Sequence, residues 1–265
     1  IILGGLQSIA KAAEKIVPAM AVVYIVAVIS LLIINREQLP MAIELVFVNA
    51  FTPTAAMGGF LGASVMKGIQ SGIARGIFSN ESGLGSAPIV AAAAKTKWSA
   101  EQGLISMTGT FIDTIIICTM TGLAVISSGL WTTELNGAVL TNGAFSQAFP
   151  LFGDYLITIA LVLFAFTTIL GWSYYGERCA VYLFGTKVIK PYRLVFIAII
   201  ATAAFLKLEE IWALADIVNG LMAFPNLVAL LLLSGTVVSE SKRYMNYLKE
   251  RSRRLSSYKN INNKI

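Results

Sequence analysis

Apolar residues along this chain fall in long runs separated by short polar intervals, and the runs are of membrane-spanning length. Ile16–Ile34 carries no charge, and at about 1.5 Å per residue it covers the roughly 30 Å hydrocarbon core of a bilayer. Four further runs predict spans: Leu104–Leu130, interrupted by Asp113; Tyr155–Gly176; Leu194–Leu208, short and with Lys207 near its end; and Ile211–Ser234. Between the first and second runs lies a region, Met41–Ala94, that is apolar but repeatedly interrupted. Its least membrane-like stretch is GIFSNESGLGSAPIV, Gly76–Val90, which crowds glycines together with Asn80, Glu81 and Pro88.

Composition agrees with the bilayer as solvent. Hydrophobic residues make up 57% of the chain and charged ones 13%, with a mean hydropathy of +0.76, against roughly 25% charged in soluble domains. The first run is not read as a signal peptide: Lys11, Glu14 and Lys15 precede it, it exceeds the length of a signal core, and no small-residue cleavage pattern follows. The chain begins at Ile1 rather than Met, which predicts either a processed start or a piece of a longer protein. Cys118 and Cys179 fall inside or beside spans, which argues against a disulfide framework or a zinc cluster. There is no histidine, so Ser-His-Asp and Cys-His catalysis and His-ligated metals are excluded.

Positive charge sets the expected orientation, because short loops rich in Lys and Arg stay in the cytoplasm. From Lys242 to Lys264 the tail carries Lys242, Arg243, Lys249, Arg251, Arg253, Arg254, Lys259 and Lys264 against Glu250 alone. It reads as a solvated basic tail near anionic lipid rather than a nucleic-acid surface. Arg178, Lys187, Lys190 and Arg193 mark a second inside loop, whereas Trp98–Glu177 has no Lys or Arg and its loop at Trp131–Gly153 is expected outside. With Lys11, Lys15, Lys95 and Lys97 also inside, the chain must cross an odd number of times between Asn35 and Lys95. One broken crossing, preceded by a re-entrant or surface helix at about Met41–Met57, meets that demand and predicts six crossings. The division is then a transmembrane domain over 1–237 and a basic cytoplasmic tail over 238–265.

The break is predicted from Pro88, which suits the first turn of a helix, and from Ser86, which can cap its free N–H groups. A helix-like run punctuated by Gly58, Gly59, Gly62, Gly68, Gly72 and Gly76 should end near Phe78, leaving Ser79–Gly85 unwound and a second half-helix over Ser86–Ala94, about 13 Å long. That places the hinge near mid-membrane. Irregular backbone at such depth must be buried in protein or line a cavity, since lipid satisfies no N–H or C=O group. A broken helix can hold a carboxylate at a half-helix N-terminus and a cation at free carbonyls. Glu81 at that depth costs about 2.5–3.5 kcal/mol and so calls for a partner or a function; the plainer alternative is that Asn80 and Glu81 only cap helix ends.

Four blocks carry a specific resemblance: ARGIFSNESGLGSAPIVAAAAKT (Ala74–Thr96), FIDT (Phe111–Thr114), TTILGWSYYGERC (Thr167–Cys179) and ADIVNGLMAFPNLVALLLLSG (Ala215–Gly235). In order and spacing they resemble the C-terminal half of the sodium:alanine (alanine or glycine:cation) symporter family. The resemblance implies an all-α polytopic membrane protein of the LeuT type, with about six transmembrane helices, one of them broken. These would be the last helix of the first inverted repeat and the whole of the second. It further implies symport of a small neutral amino acid, alanine or glycine, with Na⁺ or, in some members, H⁺. The setting would be a bacterial or archaeal inner membrane, with the C-terminus cytoplasmic, no cofactor beyond the coupling ion, and no enzymatic step. The family's preceding half, with a Gly-Thr-Gly-Asn-type broken helix, has no counterpart here, so a missing N-terminal half is an expected partner.

By the same resemblance Phe78, Ser79, Asn80, Glu81 and Ser82 line the substrate side of the break, Thr168 and Trp172 complete the pocket, and Thr167 and Thr168 ligate Na⁺. Phe78 reads equally as packing. The two threonine hydroxyls could instead bond back to their own helix. Trp172, one turn beyond Thr168 on the same face, could instead belong to an interfacial aromatic belt. Asp113 and Asp216, both expected to face the bundle, allow a different class, an intramembrane aspartyl protease, although they stand in FIDT and LADI rather than YD and GxGD contexts. A non-transporting membrane scaffold is the third class.

Overall fold

The computed structural model describes residues 1–51, 59–135, 137–205 and 208–262. It is helical throughout, with no strand among the described residues. The helices are α1 (Gly5–Ile34), α2 (Leu39–Phe51), α3 (Gly59–Asn80), α4 (Ala87–Ala91), α5 (Ser99–Thr110), α6 (Thr119–Ser127), α7 (Gly137–Ala148), α8 (Gly153–Phe184), α9 (Ile189–Thr202) and α10 (Leu208–Asn262). A π-helical segment, Phe111–Cys118, joins α5 to α6. By length and composition four stretches among the described residues can cross a membrane: Ile2–Ile34, Ser99–Ser127, Gly153–Phe184 and Glu210–Arg254.

Four of the five plain runs therefore lie on helices of spanning length. The fifth, Leu194–Leu208, falls instead on α9, which has 14 residues and gives way to a 3-10 turn at Ala203–Phe205. The helix expected at Met41–Met57 is α2, ending at Phe51; residues 52–58 lie outside the described residues. The basic tail is not a separate element, because α10 continues through it to Asn262.

The chain forms two compact units, Ile1–Arg75 with Asp113–Leu208, and Gly76–Ile112 with Glu209–Ile265. In the first unit α1 and α7 pack on α8, and α6 packs on α1. Tyr24, Val28, Leu31, Ala124, Phe145 and Ile157 make the buried core. Tyr24 meets Phe164 edge-to-face at 5.3 Å. Its hydroxyl lies 2.6 Å from Thr121 Oγ1, and Thr121 spends its own proton on the Ile117 carbonyl, so Tyr24 is the donor. Where α7 turns into α8, a methyl at Gly153 would collide with the Phe145 carbonyl. Backbone cannot yield as a side-chain tip can, so Gly153→Ala is expected to cost about 1–3 kcal/mol, read as a lowered melting temperature in detergent.

At the other end of α8, Glu177 holds two arginines: Arg193 Nε donates to Oε2 at 2.6 Å and Arg178 Nη2 to Oε1 at 3.0 Å. Arg193 Nη1 donates onward to the Leu3 carbonyl at 2.6 Å. Gly5, at φ +70°, leaves the room this requires, since a Cβ there would stand 2.7 Å from Arg193 Nη2. One ion pair thus joins the start of α1, the end of α8 and the start of α9. The Glu177 hydrogen bond raises the Arg193 guanidinium further above its ordinary value, so that end of the pair is always charged.

In the second unit α10 packs on the segment leading into α5. Trp98 lies 5.0 Å from the Tyr247 ring and 5.8 Å from that of Tyr244, with the Arg243 guanidinium 5.4 Å over its face. These contacts fasten the basic part of α10 by aromatic packing and a cation–π interaction.

Candidate functional site: a broken helix closed by a glutamate

The break lies two residues later than its sequence predicts. Asn80 Nδ2 donates to the Gly76 carbonyl at 2.9 Å, one turn back, and α3 runs on through Ser79 and Asn80. It ends in a Schellman arrangement: Glu81 N–H donates to the Phe78 carbonyl at 3.3 Å and Ser82 N–H to the Ile77 carbonyl at 3.1 Å. That arrangement puts the residue after the cap in the left-handed region, normally a glycine. Here it is Glu81, at φ +53°, the one non-glycine with positive φ among the described residues. Its Oε2 is buried with no hydrogen-bond partner among the described residues.

Gly83 (φ +75°) and Gly85 (φ +81°) complete the turn, with Leu84 buried beneath it. The second half-helix is also shorter than expected: α4 has five residues, and Ala92–Ala94 close as tight turns onto Pro88, Val90 and Ala91. Five peptide units, about 8 Å, sum to a small dipole, so the polar character of the break rests on the turn itself. Ser86 stands at the N-cap position but makes no capping bond, because its backbone is helical (φ −77°, ψ −45°) rather than in the extended region from which a cap reaches back. A cavity of about 530 Å³ begins at Ala87, lined also by Pro88, Ala91, Ser99, Gln102 and Ser106.

The other candidate residues fall as follows. Phe78 packs edge-to-face on Trp212 of α10 at 5.9 Å; Ser79 and Ser82 are exposed. These belong to the second unit, whereas Thr167, Thr168 and Trp172 stand on α8 in the first. Thr167 Oγ1 donates to the Leu163 and Phe164 carbonyls, both at 3.0 Å, and Thr168 Oγ1 to the Phe164 carbonyl at 2.9 Å. Both hydroxyls bond back to their own helix, a geometry that leaves oxygen lone pairs for a hard cation. Trp172 meets Tyr175 edge-to-face at 5.5 Å. The helix continues beyond Gly176 to Phe184. Asp113 is half-buried within the π-helical segment, and Asp216 is exposed on α10.

Three features escaped the sequence reading. The π-helical segment over FIDT carried one signal, an aspartate amid Ile and Phe, and such segments occur often at functional sites. Asn226 follows Pro225 inside α10, and its side chain lies against Gly85. Ser86 appeared only as a cap, and its burial has no local sequence signal.

Four helices long and apolar enough to cross a membrane, with a further helix broken at an oxygen-rich turn, define the class, a polytopic membrane protein. Residues 1–258 match the sodium:alanine symporter family, and the chain belongs to it. The family is one of transporters, not enzymes, which sets the aspartyl-protease reading aside. The chain is 56% identical over 251 residues to an uncharacterized transporter of Haemophilus influenzae, covering 94% of this chain and 55% of that protein. It is 49% identical over 248 residues to the sodium/alanine symporter AgcS of Methanococcus maripaludis (92% and 54%). With the probable sodium/glutamine symporter GlnT of Bacillus subtilis it shares 40% over 246 residues (92% and 51%). The chain spans about half the length of these relatives.

Proposed function

We propose that this chain is the C-terminal half of a Na⁺-coupled symporter that carries a small neutral amino acid, alanine or glycine, across a plasma membrane by alternating access. The observation that carries this reading is Glu81: a carboxylate with a buried, unpartnered oxygen, held in a left-handed backbone at the break of a helix. Strain of this kind, about 1–3 kcal/mol, persists where surrounding structure and use require it. In the proposed complex Glu81 meets the ammonium of the amino acid and the neighbouring Phe78, Ser79, Asn80 and Ser82 line the turn; Trp172 is a substrate-contact candidate on α8. Thr167 and Thr168 offer hydroxyl oxygens to Na⁺, or the site takes H⁺ as the coupling ion. Na⁺ favours the state that binds substrate, and rocking of the helices about the break exposes it to either side. The six-crossing, LeuT-type topology and the cytoplasmic C-terminus belong to the same proposal.

The test is binding of radiolabelled alanine to the purified chain in lipid, alone and with a matching N-terminal half supplied in trans, with glycine and glutamine as competitors. Binding is expected with both halves and Na⁺ together, displaced by glycine more strongly than by glutamine. If neither preparation binds a small amino acid with Na⁺ or H⁺, the chain is a membrane scaffold and the proposal is wrong.

A further inference from the structure

Ser86 is 1% exposed, and its Oγ has no hydrogen-bond partner among the described residues. A buried hydroxyl that pairs with nothing forfeits its hydration without return, and folded proteins keep few of them. Alanine would fill the position as well and would carry no such penalty. The neighbouring residue shows how the hydroxyl is held. Gly85 is pressed by the Asn226 side chain: a Cβ there would stand 3.1 Å from Oδ1, 3.2 Å from Cγ and 3.3 Å from Cβ of Asn226. Leu227 lies similarly over Gly83, 3.6 Å from the corresponding point. Turn and helix face are all in the second unit. Consecutive residues of α10, placed just after Pro225, therefore back the turn that carries Ser86.

A hydroxyl can donate one hydrogen bond, and an amino-acid zwitterion brings an acceptor, its carboxylate, a few ångströms from an ammonium. Glu81 and Ser86 stand at opposite ends of one short glycine turn, one negative and the other a neutral donor. Their chemistry matches the two ends of that ligand. We infer that Ser86 donates a hydrogen bond to the carboxylate of the transported amino acid, and that Asn226 is a positioning residue that holds the Gly85–Ser86 backbone for it. This rests on the symporter reading above and adds to it a residue of the turn and a residue of α10.

The experiment compares wild type, Ser86→Ala, Asn226→Ala and the double variant, using the preparation in which wild type binds alanine. Absence of wild-type binding would be a failure of the symporter reading; the variants test only the present inference. Ser86→Ala is expected to weaken alanine binding about tenfold while leaving the half-saturating Na⁺ concentration unchanged. Its melting temperature without ligand should equal or exceed that of wild type, because the hydroxyl removed had no protein partner. Asn226→Ala should weaken alanine binding too, but add little in the Ser86→Ala background, since it acts through that residue. Wild-type alanine affinity in Ser86→Ala, a lowered melting temperature of that variant, or a shifted Na⁺ requirement would each overturn the assignment.

Discussion

Glu177→Ala is expected to lower the stability of the α1–α8–α9 arrangement by about 3–5 kcal/mol, the range for removing one partner of a buried ion pair. The side chain of Glu177 is 5% exposed and that of Arg193 16%, so water replaces the lost carboxylate only in part. What remains is a guanidinium with one bond to the Leu3 carbonyl and no counter-charge for its Nε. Arg178, whose side chain is 42% exposed, turns to solvent at little cost. Two companion variants locate the effect. Glu177→Gln keeps the shape and loses the charge, and should fall between wild type and alanine; Arg193→Lys keeps the charge and loses the planar fork that reaches both Glu177 and Leu3, and should also fall between. The measurement is the melting temperature of the purified chain in detergent. If Glu177→Ala melts with wild type, the three helix ends are held by packing alone.

That ion pair illustrates what a sequence discloses and what it withholds. Arg178 and Arg193 were legible as members of a positively charged inside loop, and that rule treats them as solvated. Their separation from Glu177, one residue and sixteen, carries no sign that both reach its carboxylate, Arg193 from the next helix. The spans were legible because bilayer thickness translates directly into run length, so α1, α8 and the apolar part of α10 fall where their runs lie. The continuation of α10 to Asn262 was less so. Polar composition past Val238 reads as a tail, yet no Gly or Pro occurs beyond Gly235, and Tyr244 and Tyr247 find Trp98 far away in the chain.

The site was legible as a place and not as a geometry. Gly83, Gly85 and Pro88 announce a break between Ser79 and Ser86, and the break is there. Its edge moved because Asn80 bonds back to Gly76 and because the position after the helix cap, where a reader looks for glycine, is taken by Glu81. A local rule violated at a residue with unspent charge is the pattern expected of functional positions, where consistency across levels of structure gives way. Ser86 failed as a predicted cap for a related reason. Capping requires an extended backbone, and whether a serine has one depends on the turn before it, which three left-handed residues had already determined.

Glu81→Asn is expected to move stability and binding in opposite directions. Asparagine tolerates the left-handed region better than glutamate does, and the shorter amide withdraws a carboxylate oxygen that is buried without a partner. Both changes favour the ligand-free protein, by about 1 kcal/mol together, so the variant should melt at or above wild type. Glu81→Gly, which removes strain and carboxylate alike, should do the same. Binding should suffer in both, because a hydrogen bond to a charged group contributes about 1.5–3 kcal/mol, or roughly 10–100-fold in affinity at 1.4 kcal/mol per decade. Conversely, Glu81→Asp keeps the charge and shortens the reach, and should retain binding better than asparagine does. Melting curves with and without Na⁺ and alanine, run beside radioligand titrations, separate the two effects. A glutamate that serves only to end α3 would leave both the asparagine and the glycine variant melting at or above wild type and binding as wild type does. That result would remove the observation on which the transport reading of the break depends.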